Sequence, residues 1–381
     1  MSGETALVDY FGEKKKVRND FYKLVPGDYV YAQGGFVIQK LSRADAMPVL
    51  RDWRNIFSKL RDVDLRLTRE PKGLCQTANA LRRKHIGNAC CVHGIIEFSN
   101  HCRNDCLYCG IRAGNTALKR YRMPTEEIVD ACSSAVNELG FKAIVLQSGE
   151  DTWYDDANLA DIVKKVRKKC AALIVMSIGE RSIKTYRKLY AAGARGVLMR
   201  FETSNSRLYG KYRPGHLLRD RVGLIKKLRA MGYAVITGFM AGLPGQTEKD
   251  ILNDINLTSA LGAEMFSFGP FIPHPLTPLA DARKPDTGLL LSTIARARII
   301  YPDSRILATS ALETLDKKNG AALALSSGAN SLMINLTPEK YARMYDIYPD
   351  RAGVSCSIAE KIESAVGLLR SLGRAPTDVG M

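Results

Sequence analysis

Cys102, Cys106 and Cys109 fall in one run, Phe98-Ser-Asn-His-Cys-Arg-Asn-Asp-Cys-Leu-Tyr-Cys-Gly110. Three thiolates at this spacing can reach three corners of one small iron–sulfur cube. Such clusters normally use four thiolates, and no fourth cysteine lies close in sequence. One iron would stay open to a substrate or cofactor, which is the arrangement of a reactive cluster. Two other readings share the residues. A structural zinc site normally takes four protein ligands, and His101 is a sequence neighbour that would have to fold back onto the same ion. Buried inert thiols are the third reading.

Further along the chain, polar or glycine-rich motifs follow each apolar run. They are Gln147-Ser-Gly-Glu-Asp151, Ser177-Ile-Gly-Glu180, Arg200-Phe-Glu-Thr203, Gly238-Phe-Met-Ala-Gly-Leu-Pro-Gly-Gln-Thr247 and Gly269-Pro-Phe-Ile-Pro-His-Pro-Leu-Thr-Pro278. Glycine lets backbone approach a ligand closely. Glu202 reads equally as a ligand contact or as the partner of Arg200. Arg221 alone reads as a surface arginine. His274 reads as packing, and the loop at 238–247 lacks the Lys-Ser/Thr ending of a phosphate loop.

Short β-rich runs alternate with amphipathic segments from Gly94 onward, the pattern of a parallel sheet. Strands are expected at 95–98, 142–147, 172–177, 196–201, 233–240, 264–269, 305–309 and 330–334. Helices are expected from Thr125, at 181–191, 217–231, 247–261 and 287–299, and at about 357–371. Eight strands suit a closed (β/α)8 barrel, with an open doubly wound sheet as the rival; both place ligands at strand C-termini. Before the barrel, a helix capped by Ser42 and a second from Leu74 to His85, ending near Gly87, form a helical layer. Residues 1–40 carry turn signals without a firm assignment. The expected division is an N-terminal extension, 1–92, and a barrel with C-terminal helices, 93–381.

Composition bounds the class. The chain has 381 residues, 46% hydrophobic, with a formal net charge of +17. No apolar run reaches the ~18 residues of a membrane span, and the N-terminus lacks a secretory pattern, so a cytoplasmic location is expected. Nine cysteines, scattered apart from the triplet, do not form a secreted disulfide framework. The positive charge sits partly in runs such as Lys14-Lys-Lys16, Arg82-Arg-Lys84 and Lys164-Lys-Val-Arg-Lys-Lys169. Without an RNA-binding motif or interleaved aromatics, a solvated basic surface is the reading, and nucleic acid is not the expected partner.

The cysteine triplet resembles that of the radical S-adenosylmethionine (SAM) enzymes. Ile96-Glu-Phe-Ser-Asn100, Leu107-Tyr-Cys-Gly110, Lys119-Arg-Tyr-Arg-Met123, Val145-Leu-Gln-Ser-Gly-Glu-Asp151, Gly242-Leu-Pro-Gly-Gln-Thr247 and Gly269-Pro-Phe-Ile-Pro-His-Pro275 are similar to the HydE branch of [FeFe]-hydrogenase maturases. Methylornithine synthase and biotin synthase are more distant. The resemblance spans roughly residues 75–375. It implies a (β/α)8 barrel holding a [4Fe–4S] cluster on Cys102, Cys106 and Cys109, with SAM on the open iron. A one-electron donor of flavodoxin or ferredoxin type would reduce the cluster. SAM would then split to a 5′-deoxyadenosyl radical acting on a small molecule in the barrel. In the maturase branch that molecule is a cysteine bound to an iron carbonyl cyanide unit, and maturation partner proteins are implied.

By the same resemblance, SAM lies against Tyr108, Ser148, Gly149, Glu150, Ser177, Glu202, Arg221 and Met240. The substrate meets Arg200, Thr309, Ser310, Met333, Tyr345 and Tyr348. Two departures stand out. The family's second, three-cysteine site reads Gly353, Lys361 and Ser364 here, with Cys356 alone nearby, so one cluster is expected. A cavity arginine of the family reads Gly196 and a histidine reads Phe201, while Arg195 would face the other way on a strand. Loss of that cation points to a different small substrate, such as an amino acid in a methylornithine synthase-like mutase. On this reading, Gly196→Arg should strengthen binding of a small anion. RNA modification and a non-catalytic cluster carrier are the remaining rivals.

Overall fold

The computed structural model describes residues 4–10 and 13–377. The extension is not purely helical, because it begins with a small sheet. Strands β1 (Glu4–Tyr10), β2 (Glu13–Asn19), β3 (Tyr29–Gln33) and β4 (Phe36–Leu41) lie in the order β1-β2-β4-β3. Lys14, Lys15 and Lys16 belong to β2 and pair with Asp9, Val8 and Leu7. A lysine run hides a strand because it masks the apolar alternation. Helices α1 (Arg43–Leu67) and α2 (Gly73–Ile86) follow. The Ser42 side chain accepts the Asp45 N–H at 3.1 Å and so starts α1. Gly87, at φ 74°, ends α2 where the sequence placed its stop.

The barrel then unfolds in chain order. Its first half is β5 (Ala89–Ser99), α3 (Thr125–Asn137), β6 (Ala143–Ser148), α4 (Asp156–Lys169), β7 (Leu173–Ser177), α5 (Ile183–Ala192), β8 (Gly196–Leu198), α6 (Ser206–Tyr212) and α7 (Leu218–Ala230). The second half begins β9 (Ala234–Thr237), β10 (Met240–Ala241), α8 (Glu248–Ala260), β11 (Met265–Phe266), β12 (Gly269–Pro270) and α9 (Thr287–Ile300). It ends with β13 (Arg305–Ile306), α10 (Ser310–Leu315), α11 (Gly320–Ser326), β14 (Ser331–Asn335), α12 (Glu339–Ala342), α13 (Ile358–Ser371) and β15 (Ala375–Pro376). The parallel order is β13-β11-β9-β8-β7-β6-β5-β14. A bridge between Leu307 and Ser331, with Ala308 N–H donating to Ser331 O at 2.9 Å, brings the ends together. The run expected at 233–240 breaks at Gly238, where an added Cβ would lie 2.1 Å from Ser267 O.

Period-two alternation divides the strands between two cores. Ile96, Phe98, Leu146, Met176, Val197, Phe201 and Phe239 face the helical shell. Ala143, Val145, Leu173, Val175, Ile236, Met265 and Leu307 face inward and pack with Phe36 and Ile38 of β4. The extension therefore closes the barrel's N-terminal floor. Among the described residues, no helix is long and apolar enough to cross a membrane.

Candidate active site

β5 delivers the chain to the C-terminal mouth of the barrel, and the loop after it carries the three cysteines. Main-chain hydrogen bonds clamp that loop from three sides. Arg103 N–H donates to Glu150 O at 3.1 Å, Leu107 N–H to Tyr212 O at 3.0 Å, and Gly110 N–H to Ile347 O at 3.0 Å. Two glycines allow the close fit. An added Cβ would lie 2.3 Å from His101 O at Gly149, and 2.1 Å from Asp346 O at Gly110. His274, 1% exposed, accepts the Leu276 N–H at Nδ1, which leaves Nε2 to donate to Asp346 at 3.0 Å. It braces the loop from behind, as packing.

The Glu150 N–H lies 3.4 Å from Cys102 Sγ and donates to it. Burial pushes all three thiols above the usual cysteine range; the charges of neighbouring thiolates add to this at Cys106 and Cys109. Such thiols need a nearby cation to ionise, and iron would supply it. Among the described residues, no three His, Cys, Asp or Glu side chains converge tightly enough to hold a single ion. A cluster does not require that convergence, since each thiolate takes its own iron.

Beside the loop stands a wall of buried charge. Glu150, 5% exposed, accepts the Glu180 N–H at 2.7 Å and the Arg103 Nε–H at 3.3 Å. Glu180 accepts from Arg221 at 3.0 Å and lies 3.5 Å from Arg213. Arg221, in the first turn of α7, also donates through Nε to Arg200 O at 2.9 Å. Glu202 sits at φ 66°, the left-handed region that a non-glycine residue occupies at a cost of about 1–3 kcal/mol. Its Oε2 is buried without a hydrogen-bond partner among the described residues, with Arg200 Nε in ionic contact at 3.5 Å. Arg213 Nε and Tyr209 OH are also buried and unpartnered among the described residues. Partly buried sulfurs beside unsatisfied polar atoms fit a bound cluster with a polar cofactor next to it.

The structure brings most of the expected cofactor residues to this mouth. Tyr108 and Met240 share one apolar patch with Leu208, Tyr212, Leu243 and Phe271. Ser148, Gly149 and Glu150 adjoin Cys102 at the end of β6. Ser177 ends β7 and donates to Gln147 at 3.2 Å. The expected substrate residues are less gathered. Tyr348 hydrogen-bonds Ser310 at 3.0 Å. Thr309 Oγ1 is buried without a hydrogen-bond partner among the described residues. Tyr345, 2% exposed, packs in the shell core. Met333, opposite His93 in register, joins the inner apolar cluster deeper in the barrel.

Two expectations are corrected. Phe201 is fully buried in the shell core, 6.3 Å from the Phe239 ring centroid, and does not face the cavity. Gly196 does face inward, but low in the barrel. It lines a void of about 10 Å³ with Gln33, Gly34 and His93, and an added Cβ would lie 2.6 Å from Val175 Cγ2. A long cation there would meet the floor, so Gly196→Arg is not expected to build an anion site. Arg195 does point away, into an ion pair with Asp20. Sequence reasoning missed Arg213, whose only signal is Tyr-Arg-Pro-Gly after a short helix, and the buried Glu97–Arg351 pair, joined by Asn335 at 2.9 Å. A large cavity of about 2030 Å³ lies at the other end, between the N-terminal sheet, α1 and the floor, and none of the expected site residues lines it.

Comparison with known proteins agrees with this geometry. The Radical SAM superfamily family matches residues 96–258. The [FeFe] hydrogenase maturase subunit HydE of Thermotoga maritima is 42% identical over 305 residues, covering 80% of this chain and 87% of that protein. The 3-methylornithine synthase of Methanosarcina barkeri is 30% identical over 289 residues, covering 74% and 81%. The crystal structure of methylornithine synthase superposes with a TM-score of 0.70 at 25% identity, covering 86% of this chain and 93% of that one. With its cysteine loop at the mouth of a parallel barrel, the chain belongs to the radical SAM superfamily, enzymes that work with a [4Fe–4S] cluster and S-adenosylmethionine.

Proposed function

We propose that this enzyme acts in [FeFe]-hydrogenase maturation, as its HydE relative is named to do. Its substrate is a small molecule in the barrel, a cysteine carrying an iron carbonyl cyanide unit. The observation that carries the reading is the 42% identity along 87% of the maturase, joined to a cysteine loop clamped over the barrel mouth. When bound, the cluster and SAM supply one-electron cleavage to methionine and a 5′-deoxyadenosyl radical.

The chain's own residues do the rest. Cys102, Cys106 and Cys109 hold three irons. Tyr108 and Met240 give the adenosyl group an apolar seat, and the backbone at Ser148, Gly149 and Glu150 approaches the amino end. Ser177, Glu202 and Arg221 supply polar contacts, with Glu180 keeping Arg221 in place. Arg200, Tyr345, Tyr348 and the deeper Met333 face or support the substrate. The loop and the closed floor keep water from a reactive intermediate. Reduction comes from a flavodoxin- or ferredoxin-like donor in the cytoplasm, and maturation partners receive the product.

A second reading is a methylornithine synthase-like mutase acting on an amino acid, favoured by the TM-score of 0.70. The deciding experiment is anaerobic. The reconstituted enzyme is given SAM and reductant, and 5′-deoxyadenosine is quantified with and without a cysteine-bound iron dicarbonyl cyanide complex. Strong stimulation, with the adenosyl group on the cysteine sulfur, supports the maturase. Slow cleavage that only an amino acid stimulates overturns it in favour of the mutase. No cleavage with an intact cluster overturns both.

A further inference from the structure

Arg213 caps the C-terminus of α6, and its neighbour Tyr212 accepts the Leu107 N–H from within the cysteine loop. Its side chain is 4% exposed. One side of the guanidinium is anchored: NH2 lies 3.5 Å from Glu180 and 4.0 Å from Glu150, and the group rests 5.2 Å from the Tyr209 ring centroid. Nε–H is buried with no acceptor among the described residues, an unsatisfied donor that a bound anion would satisfy. The arginine's surroundings are tied to the cysteine loop at two points: Tyr212 O accepts the Leu107 N–H beside Cys106, and Glu150, 4.0 Å from Arg213 NH2, donates its N–H to Cys102 Sγ at 3.4 Å.

Two anions could accept this donor, the thiolate side of the cluster and the carboxylate of SAM, and the attachment of its neighbours Tyr212 and Glu150 to the cysteine loop favours the first. We propose that Arg213 is a positioning residue for the cluster, a fixed buried cation beside the cysteine loop whose unpaired Nε–H stabilises the reduced state. This inference rests on the radical SAM reading above. Hydrogen bonds to the sulfurs and net charge are established controls of cluster potential, and groups behind the ligands tune a metal site.

The test is a potentiometric titration with dithionite, followed by electron paramagnetic resonance, on anaerobically reconstituted full-length enzyme without substrate. Arg213→Gln should shrink the reduced-to-oxidised ratio about tenfold at the wild-type midpoint, a downward shift of about 59 mV for one electron. Arg213→Lys, which keeps the charge, should stay within about twofold of wild type. A glutamine variant within twofold of wild type overturns the inference. So does an unshifted potential with SAM affinity weakened tenfold, which would assign the donor to the carboxylate. If the glutamine variant holds no iron, the lysine variant decides: restored loading and potential support the charge role, and a second failure reveals mere packing. A wild-type chain that takes up no cluster overturns the functional reading first.

Discussion

The two ends of the barrel are built from the same eight strands and opposite materials. At the mouth, Glu97, Gln147 and Ser177 sit in register on successive strands, Arg200 and Glu202 follow β8, and Glu202 Oε2 and Arg213 Nε lack partners among the described residues. At the floor, Phe36 and Ile38 from the extension pack on Ala143, Val145, Leu173 and Val175, and the turn at Gly34–Gly35 pushes in until an added Cβ at Gly34 would lie 2.7 Å from Leu173. Chemistry in this fold belongs to strand C-termini, and the N-terminal face serves stability. A residue's height on its strand therefore decides its role. Gly196 and Arg200 are only four residues apart, roughly 13 Å along an extended strand. One closes the floor and the other faces the mouth.

If the mouth carries the chemistry and little of the stability, Cys106→Ala separates the two completely. The variant should hold no intact cluster and release no 5′-deoxyadenosine, while urea unfolding of the apo chains differs by no more than about 1 kcal/mol. Iron analysis and anaerobic absorbance check the first part. An alanine variant with full iron content would show that Cys106 is not a ligand.

The floor should behave in reverse. Phe36 is 5% exposed and also lies under the Arg18 guanidinium at 4.8 Å. Truncating a buried phenylalanine costs about 3–5 kcal/mol, so Phe36→Ala should lose about that much by urea titration. Iron content, midpoint potential and SAM affinity of the folded fraction should match wild type. A tenfold change in SAM affinity would mean that floor and mouth are coupled.

The division between mouth and floor was only half legible in the sequence. The cysteine spacing, the strand-end motifs and eight alternating strands give the mouth and the barrel, because local periodicity and short motifs encode them. The floor depends on contacts between distant segments. Nothing in Tyr-Ala-Gln-Gly-Gly-Phe announces that Phe36 enters a barrel formed after residue 88. Arg82 reads as part of a surface charge run, yet it is fully buried and paired with Asp64 at 2.6 Å. The pairing joins α2 to α1, and only the packing of two helices reveals it. Phe201 departs from expectation for a different reason: a motif resemblance fixes a position along the chain, while strand alternation fixes the facing.

His93 tests the floor through pH. It is 3% exposed and lies 3.2 Å from Gln33 through Nε2. Burial, with the charge of Arg305 adding to it, lowers its pKa from 6.5 to about 4. The folded state thus binds fewer protons than the unfolded chain between these values, and stability falls as pH drops through that window. From pH 7 to pH 5 the loss attributable to this residue is about 2 kcal/mol. The measurement compares urea unfolding of wild type and His93→Gln at both pH values. The variant should lose about 2 kcal/mol less than wild type, and equal losses would remove His93 as the cause.

The smallest effect concerns strain, which the mouth stores at Glu202. Its left-handed backbone is held by its own main chain, with Glu202 O accepting the Met240 N–H at 2.8 Å and Glu202 N–H reaching Gly238 O at 3.3 Å. Replacing the side chain by glycine or by alanine removes the same carboxylate, so the pair differs mainly in backbone preference. Glycine adopts this conformation freely, at the cost of more freedom in the unfolded chain. Glu202→Gly should therefore be the more stable of the two by about 1 kcal/mol, read as a difference in urea midpoints on apo protein. Gly196→Ala supplies the contrast from the floor, where φ is ordinary and the obstacle is Val175. There the alanine should be the less stable form through crowding alone. Equal stability of the two Glu202 variants would mean that the backbone there is unstrained, and the mouth would then differ from the floor in its charge and not in its conformation.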